Sequence, residues 1–343
     1  MTENLRTRIG IIPNVRGVGG PASFNGKLVR GLHKRGIEAI YDLDTPGLSA
    51  VLVIAGTRHL GTLTALKRKG IPIIQRLDGM NWIHRKRFTG LRHYLRSEVN
   101  NWLLGEIRSR FADKVIYQSE FSRDWWNRVY GSKPTPNEII YNGVDLDQYD
   151  PGEFSIKDRS TLSVMVVEGH IKNGLELGLR NVIRSLDMFH SYTRHPVDLH
   201  VAGDVPLQVR SELTQGMSLP VTWEGILPRE VIPARLRKAD LFFSAELNPP
   251  CPNSVIEALS SGLPVAAFEG GAIRELVPDD CGIITPYGGN IWNLEDADVV
   301  IMAKTLSDKL DSLGDSGRKA RVRAEMMFGL DQMVEKYLSV LLG

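Results

Sequence analysis

Between Asn248 and Leu276 the chain reads NPPCPNSVIEALSSGLPVAAFEGGAIREL, a stretch with few ways to fold. It predicts a loop, a short helix, a buried strand and a glycine turn that opens a second helix. Pro249, Pro250 and Pro252 have no backbone N–H to donate and stiffen the approach. Asn253 or Ser254 is a candidate cap for the helix that follows, which ends at Gly262. Glu257 lies one turn on from Asn253, so both share a face near the positive end of that helix. Leu263 to Phe268 is an apolar run of strand length, as in a strand buried on both faces. Gly270-Gly271 then lets backbone N–H groups come close to a ligand, just before a helix starting near Ile273. Two helix N-termini at one crevice suit an anion such as a diphosphate. The stretch is half of an α/β domain with its ligand-facing end exposed.

The rest of the chain repeats that alternation. Ile9 to Pro13 is a short apolar strand, followed by a Gly-rich turn through Gly17, Gly19 and Gly20 and a helix with Phe24, Leu28, Val29 and Leu32 on one face. Ile37 to Tyr41 is the next strand. Gly17, Gly19 and Ala22 fit the dinucleotide pattern G-x-G-x-x-A, and Asp42 stands at a suitable distance for a ribose contact. Against that reading, Gly17 comes four positions after Pro13, where the fingerprint opens directly after its strand. A turn serving chain geometry alone also stays open for Gly17. Val51–Ala55 and Ile71–Ile74 are further strands with a helix between them, and strand–helix alternation argues for a parallel sheet. Asp78-Gly79 comes just past a strand end, where open α/β sheets bind ligands. Asp78 suits a ligand contact there, or simply a turn.

His84, Arg85, Lys86, Arg87 and Arg92 make a basic segment. It leads into an amphipathic helix carrying Leu91, Leu95, Val99, Trp102, Leu103, Ile107 and Phe111 at three- and four-residue spacing. One reading is a site for an anionic membrane surface or ligand. The other is a helix packed on its own sheet with a solvated basic face. Lys114–Gln118 is a strand, and Ser119 opens a helix with Trp125 and Trp126. In the second half, Ser163–Val167, Val197–Ala202, Val221–Glu224 and Ala239–Ser244 read as strands, and Met326–Leu342 as a terminal amphipathic helix.

A length of 343 residues suits two domains, and 42% hydrophobic with 24% charged residues is ordinary for a globular protein. A net charge of +2 gives no reason to expect a nucleic-acid partner. Two cysteines, Cys251 and Cys281, have no metal-type spacing and fit a reducing cytosol. The first residues lack an apolar signal-peptide core, and no apolar run reaches membrane-spanning length. The expectation is a cytoplasmic protein, with the basic helix as a contact to the inner face of the membrane.

The opening stretch resembles the donor-sugar motif of family 4 glycosyltransferases. There a Glu, seven residues and a second Glu precede A-x-x-x-G-x-P-V and a Gly-rich turn. Glu257, Ala258, Gly262, Pro264, Val265, Gly270, Gly271, Glu275 and Val277 match, whereas the first Glu is replaced by Pro249. Ile140 to Asp145 resembles the family's I-x-N-G-V-D, and Gly17 to Gly20 its GVGG loop. Gly169 stands in the G-R-x-x-x-x-K segment, with His170 in place of the Arg and Lys172 early. The resemblance implies an α/β fold of two Rossmann-like domains facing a cleft, the GT-B arrangement. Residues 1–150 would form an acceptor-side domain, 151–325 a nucleotide-sugar-binding domain, and 326–343 a helix returning to the first.

It implies transfer of a sugar from a nucleotide-sugar donor to a hydroxyl acceptor, a glycan or lipid-linked saccharide, with retention. Glu257 would hold the ribose. Gly270, Gly271, Asn253 and Ser254 would bind the phosphates, with Gly19 and Gly20 from the other domain, Lys172 as counter-charge and His170 as a donor. Asp78 would face the sugar or acceptor. No cofactor or metal is expected, so Asp145-Leu146-Asp147 is not read as a metal motif. Pro249 leaves two alternatives: an enzyme that reads its sugar with other groups, Asn248 or Glu246 among them, or a non-catalytic binding protein of the same fold. An NAD-dependent oxidoreductase using Asp42 is the third.

Overall fold

The computed structural model describes residues 7–15, 17, 19–151, 160–171 and 174–343. Lys172 lies outside the described residues. The chain divides into two compact units, Met1–Gly143 with Leu330–Gly343, and Val144–Gly329. The division falls inside the Asn142-Gly143-Val144-Asp145 run.

The first unit holds β1 (Arg8–Ile12), α1 (Gly20–Lys34), β2 (Glu38–Ile40), β3 (Leu48–Ile54), α2 (Leu60–Arg68), β4 (Ile73–Leu77), α3 (Leu91–Glu106), β5 (Lys114–Tyr117), α4 (Glu120–Tyr130) and β6 (Asn137–Ile139). Its sheet is parallel, in the order β2-β1-β3-β4-β5-β6. β3 explains why the sequence is so continuously apolar. Ala50, Leu52 and Ile54 pack in one core with Phe24 and Leu28 of α1, while Val51 and Val53 pack in a second with Leu63 and Leu66 of α2. Alternate residues point to opposite faces, and both faces are covered.

The second unit holds β7 (Leu162–His170), α5 (Glu176–Thr193), β8 (Val197–Asp204), α6 (Leu207–Thr214), β9 (Val221–Gly225), α7 (Ile232–Lys238), β10 (Leu241–Phe243), α8 (Asn253–Ser260), β11 (Val265–Phe268), α9 (Ile273–Leu276), β12 (Gly282–Thr285), α10 (Val299–Lys309) and α11 (Leu313–Met327). Its sheet is also parallel, in the order β12-β11-β10-β7-β8-β9. β12, α10 and α11 were not anticipated: their sequence lacks a resembling motif, and the Ala- and charge-rich α11 buries only a narrow stripe including Ala320 and Ala324.

The final helix, α12 (Leu330–Leu342), is shorter than the expected Met326–Leu342 run. Phe328 breaks the path. It stands just before the end of the second unit, and its carbonyl accepts from Val144 N–H at 2.8 Å. α12 then packs Met333, Val334, Tyr337 and Val340 into the core of the first unit beside α1.

The helix α3 departs from its expected packing. Leu103 and, just beyond the helix, Ile107 are buried, but Leu91 (68% exposed), Leu95 and Trp102 (53%) face solvent. The stripe is thus covered only toward its carboxyl end, at Leu103 and Ile107.

Candidate active site

In the second unit the chain leaves β7 for β8 on one side and resumes at β10 on the other. The edge between β7 and β10 is therefore a topological switch point, where open parallel sheets leave a crevice outside the strand ends. Glu168-Gly169-His170 lie at the end of β7, and Ser244 to Asn248 follow β10. Burial pushes the Glu168 carboxyl well above its ordinary value, the nearby Glu246 carboxylate adds to this, and the Ala245 amide opposes it. Burial also raises Glu246, to about 7. Ser244 and Asn248 are buried as well. Among the described residues, Glu168 Oε1, Ser244 Oγ and Asn248 Nδ2 are enclosed with no hydrogen-bond partner.

The proline loop and the glycine turn are joined. Asn248 adopts the left-handed conformation, φ 51°, and its Oδ1 accepts from Gly271 N–H at 3.2 Å. Pro249 O accepts from Ala272 N–H at 2.8 Å. Gly271 itself has φ 56°, and a Cβ there would run into the Asn248 and Pro249 backbone. The Gly271 amide thus already serves the protein, holding the loop in place. The following helix α9 is a single turn, whereas α8 offers a longer helix start beside the proline loop.

The start of α8 differs from the expected cap. Pro252 occupies the capping position, Asn253 and Ser254 are the first helical residues, and no side chain caps the helix among the described residues. Pro252 reaches that position because its ring favours the extended conformation that a cap requires. Ser254 Oγ is enclosed without a partner. Gly262 follows the helix in the left-handed conformation, φ 65°.

Glu257 on α8 stands beside Tyr149, a residue that sequence reasoning missed. Burial pushes the Tyr149 hydroxyl far up, and the charge and hydrogen bonding of Glu257 push it further. Arg321 of α11 fixes this neighbourhood. Its Nη1 donates to Leu146 O (3.2 Å), Tyr149 O (3.0 Å) and Ser260 O (2.7 Å), tying the segment to the end of α8. A sequence carries no local sign of such a pairing between positions so far apart. Asp145 Oδ1 accepts from the amides of Asp147 and Gln148, closing a local turn. At the other side of the switch point, half-exposed His170 pairs Nδ1 with Asp204 Oδ2 at 3.1 Å.

The sequence-predicted residues of the first unit sit at the carboxyl ends of its strands. Gly19 caps α1 with φ 119°, and Gly20 is the first helical residue; both are exposed, and no side chain caps this start among the described residues. Asp78 follows β4. Its carbonyl accepts from Trp126 Nε1 (2.7 Å) and Ser122 Oγ (2.9 Å). Burial raises its carboxyl, and the Arg76 charge opposes that rise. Arg76 is itself buried, lies 3.8 Å over the Phe24 ring, and donates Nη2 to Asn142 Oδ1 at 2.9 Å. Asn142 Nδ2 in turn donates to Gln118 Oε1 at 3.1 Å. This polar network was also missed: within a strand pattern, Arg76 reads as an outward-facing residue. Asp42 is exposed, and its Oδ1 accepts from Asp44 N–H in a turn after β2. Among the described residues no group of three His, Cys, Asp or Glu side chains stands placed to hold a metal ion.

Two family models match the chain. Glycosyltransferase Family 4 covers residues 51–148, and Glycosyl transferases group 1 covers residues 164–302. The sulfoquinovosyl transferase SQD2 of Arabidopsis thaliana is 28% identical over 186 residues, which are 53% of this chain and 35% of that protein. The chain thus spans about a third of the length of that curated relative. Among solved structures, a sucrose-phosphate synthase from Thermosynechococcus elongatus superposes with a TM-score of 0.74 at 15% identity, covering 98% of both chains. Anabaena HepE, solved in complex with UDP-glucose, superposes with a TM-score of 0.71 at 17% identity, covering 98% of this chain and 99% of that one. Likeness at such identities speaks for the fold, and the two α/β units have the fold of the GT-B glycosyltransferases. Each unit thus carries a match to a glycosyltransferase family model, and the two matches agree with the shared fold.

Proposed function

We propose that this protein transfers a sugar from a nucleotide-sugar donor to a hydroxyl acceptor, a glycan or lipid-linked saccharide, with retention at the anomeric carbon. The observation that carries this reading is the Asn253–Val277 run at the strand ends of the second unit. There an extended helix start, Glu257 and the glycine turn stand beside the switch point. Glu257, with Tyr149 behind it, holds the ribose hydroxyls. The start of α8 and Gly270 take the diphosphate, since free helix-terminal amides attract an anion. Lys172 supplies counter-charge and His170 a hydrogen-bond donor. Within the first unit, Gly19 and Gly20 offer amides at the start of α1, and Asp78 meets the acceptor.

In such a site the donor's own phosphate oxygen takes the acceptor proton on the face where the new bond forms. The old bond to the diphosphate breaks as the bond to the acceptor oxygen is made. The protein contributes positioning and stabilisation of the leaving diphosphate, with no protein nucleophile required. A UDP-linked sugar is the first donor to try, because HepE was solved with UDP-glucose. Isothermal titration tests the donor site. Micromolar binding of a UDP-, GDP- or ADP-sugar is expected, weakened at least about tenfold in Glu257→Ala, as for loss of a charge-assisted hydrogen bond. Binding of NAD(H) instead, lost in Asp42→Ala, overturns the reading. Pro249 favours a second reading, a binding protein without turnover, because it removes a carboxylate at the sugar. Donor hydrolysis or transfer in the titration cell rules that reading out.

We further propose that α3 rests on an anionic membrane surface at the cytoplasmic face, which suits a lipid-linked acceptor. Phe88, Leu91, Leu95, Val99 and Trp102 form one exposed apolar stripe. Arg85, Arg87, Arg92 and Arg96 are exposed alongside it, and a basic rim around an apolar stripe matches anionic headgroups. Co-sedimentation should capture the protein on phosphatidylglycerol vesicles and not on phosphatidylcholine vesicles. Leu91→Ser with Leu95→Ser should release it. Equal binding by that double variant sinks the proposal.

A further inference from the structure

We infer that Glu246, Glu168 and Asn248 form the pocket that reads the donor's sugar, in place of the carboxylate that Pro249 lacks, and that this pocket selects an uncharged hexosyl group. The inference rests on the donor site proposed above and extends it to the class of sugar.

Position comes first. Glu168 ends β7 and Glu246 follows β10, the two strands that flank the switch point. Asn248 follows two residues later, next to Pro249. All three therefore stand at the strand ends of one sheet, beside the proposed phosphate site at the start of α8.

Unmet bonding comes second. Asn248 is 3% exposed, yet its Nδ2 has no partner, although its Oδ1 is engaged by Gly271 N–H. Glu168 Oε1 and Ser244 Oγ are likewise enclosed without a partner. Buried polar atoms without partners are rare in folded proteins, and a set of them at one place points to a ligand that supplies the missing bonds. An amide N–H donor and a carboxyl oxygen at the same strand ends together complement a sugar hydroxyl, which accepts and donates at once.

Rigidity comes third. The glycine turn holds Asn248 in its left-handed conformation, and Pro249 is tied to Ala272. On the opposite side, Gly178 of α5 lies against the Ala245 carbonyl so closely that a Cβ would not fit. The groups between these two anchors keep their places before a ligand arrives, which lowers the entropic cost of binding.

The charge of the pocket selects among sugars. Burial raises both carboxyls, and the Glu246 charge adds to the rise at Glu168, so the two resist ionising together. A neutral hexose can accept from a protonated carboxyl and donate to an ionised one. A uronic or sulfonated sugar would bring a third acidic group against the same pair.

Titration calorimetry separates this inference from the donor site on which it rests. The probes are UDP, GDP and ADP, their glucose conjugates and UDP-glucuronic acid. They are titrated into wild type, Glu246→Gln, Glu168→Gln and Asn248→Ala, with thermal melts to confirm folding. The matching diphosphate should bind wild type and Glu246→Gln within about twofold. The glucose conjugate should gain affinity over the bare diphosphate in wild type. That gain should fall about tenfold in Glu246→Gln and in Asn248→Ala, the loss expected for a buried hydrogen bond to a charged or amide group. UDP-glucuronic acid should show no gain. An undiminished gain in folded Glu246→Gln and Glu168→Gln overturns the pocket while leaving the donor site intact. A uronate gain equal to that of glucose overturns the choice of an uncharged sugar. Failure of every diphosphate and conjugate to bind overturns the donor site, and this inference with it.

Discussion

Gly271 shows how much one residue can fix. It has a positive φ and lies so close to the Asn248–Pro249 backbone that its hydrogen atom occupies the place of any side chain. Gly271→Ala should therefore be destabilising by at least about 1–2 kcal/mol from the left-handed conformation alone, with the backbone clash added. A lower denaturant midpoint at unchanged slope is the expected result. Wild-type stability in this variant would mean that the loop and turn move apart easily. The two glycines were legible in the sequence as a place of close approach. What they approach was not: the sequence suggested a ligand, and for Gly271 the nearest group is the protein's own proline loop. Arg76 illustrates the opposite failure. Its burial under Phe24 and its bond to Asn142 come from three separate elements, and no local pattern encodes them.

At the scale of elements, strands were the most legible part. A strand covered on both faces must be apolar throughout, and β3 and β11 announce themselves in this way. Helix packing was less legible, because an apolar stripe does not say what covers it. In α3 the stripe has two fates. Leu103 is buried against its own unit, while Leu91 and Leu95 are open to solvent. Leu103→Ala should cost about 2–5 kcal/mol, as for a core leucine, whereas Leu95→Ser should stay within about 0.5 kcal/mol. Chemical denaturation of the two variants gives both values. A large loss in Leu95→Ser would show that the stripe is needed for folding.

At the scale of the whole molecule, the switch-point carboxyls make stability depend on pH. Burial raises both Glu168 and Glu246, the latter to about 7. A carboxyl raised in the folded state binds its proton more tightly there than in the unfolded chain. Its contribution is complete below the ordinary carboxylate range and is lost as pH rises through the folded value. The melting temperature should fall between pH 5 and pH 8, and Glu246→Gln should flatten that fall. An unchanged slope in the variant would assign the effect to other groups.

The sequence by itself determined two runs of alternating strands and helices, hence two parallel sheets. It also determined where ligand-facing turns must lie, because the period of apolar residues and the positions of glycine and proline are local properties of the chain. Only the tertiary structure decided which distant residues meet at those turns. Tyr149 comes to Glu257, Arg321 to Ser260, and Glu168 to Glu246 because sheet order and the path of α11 bring them together. Side-chain burial and pairing between remote segments depend on that global packing, which no single stretch of sequence contains.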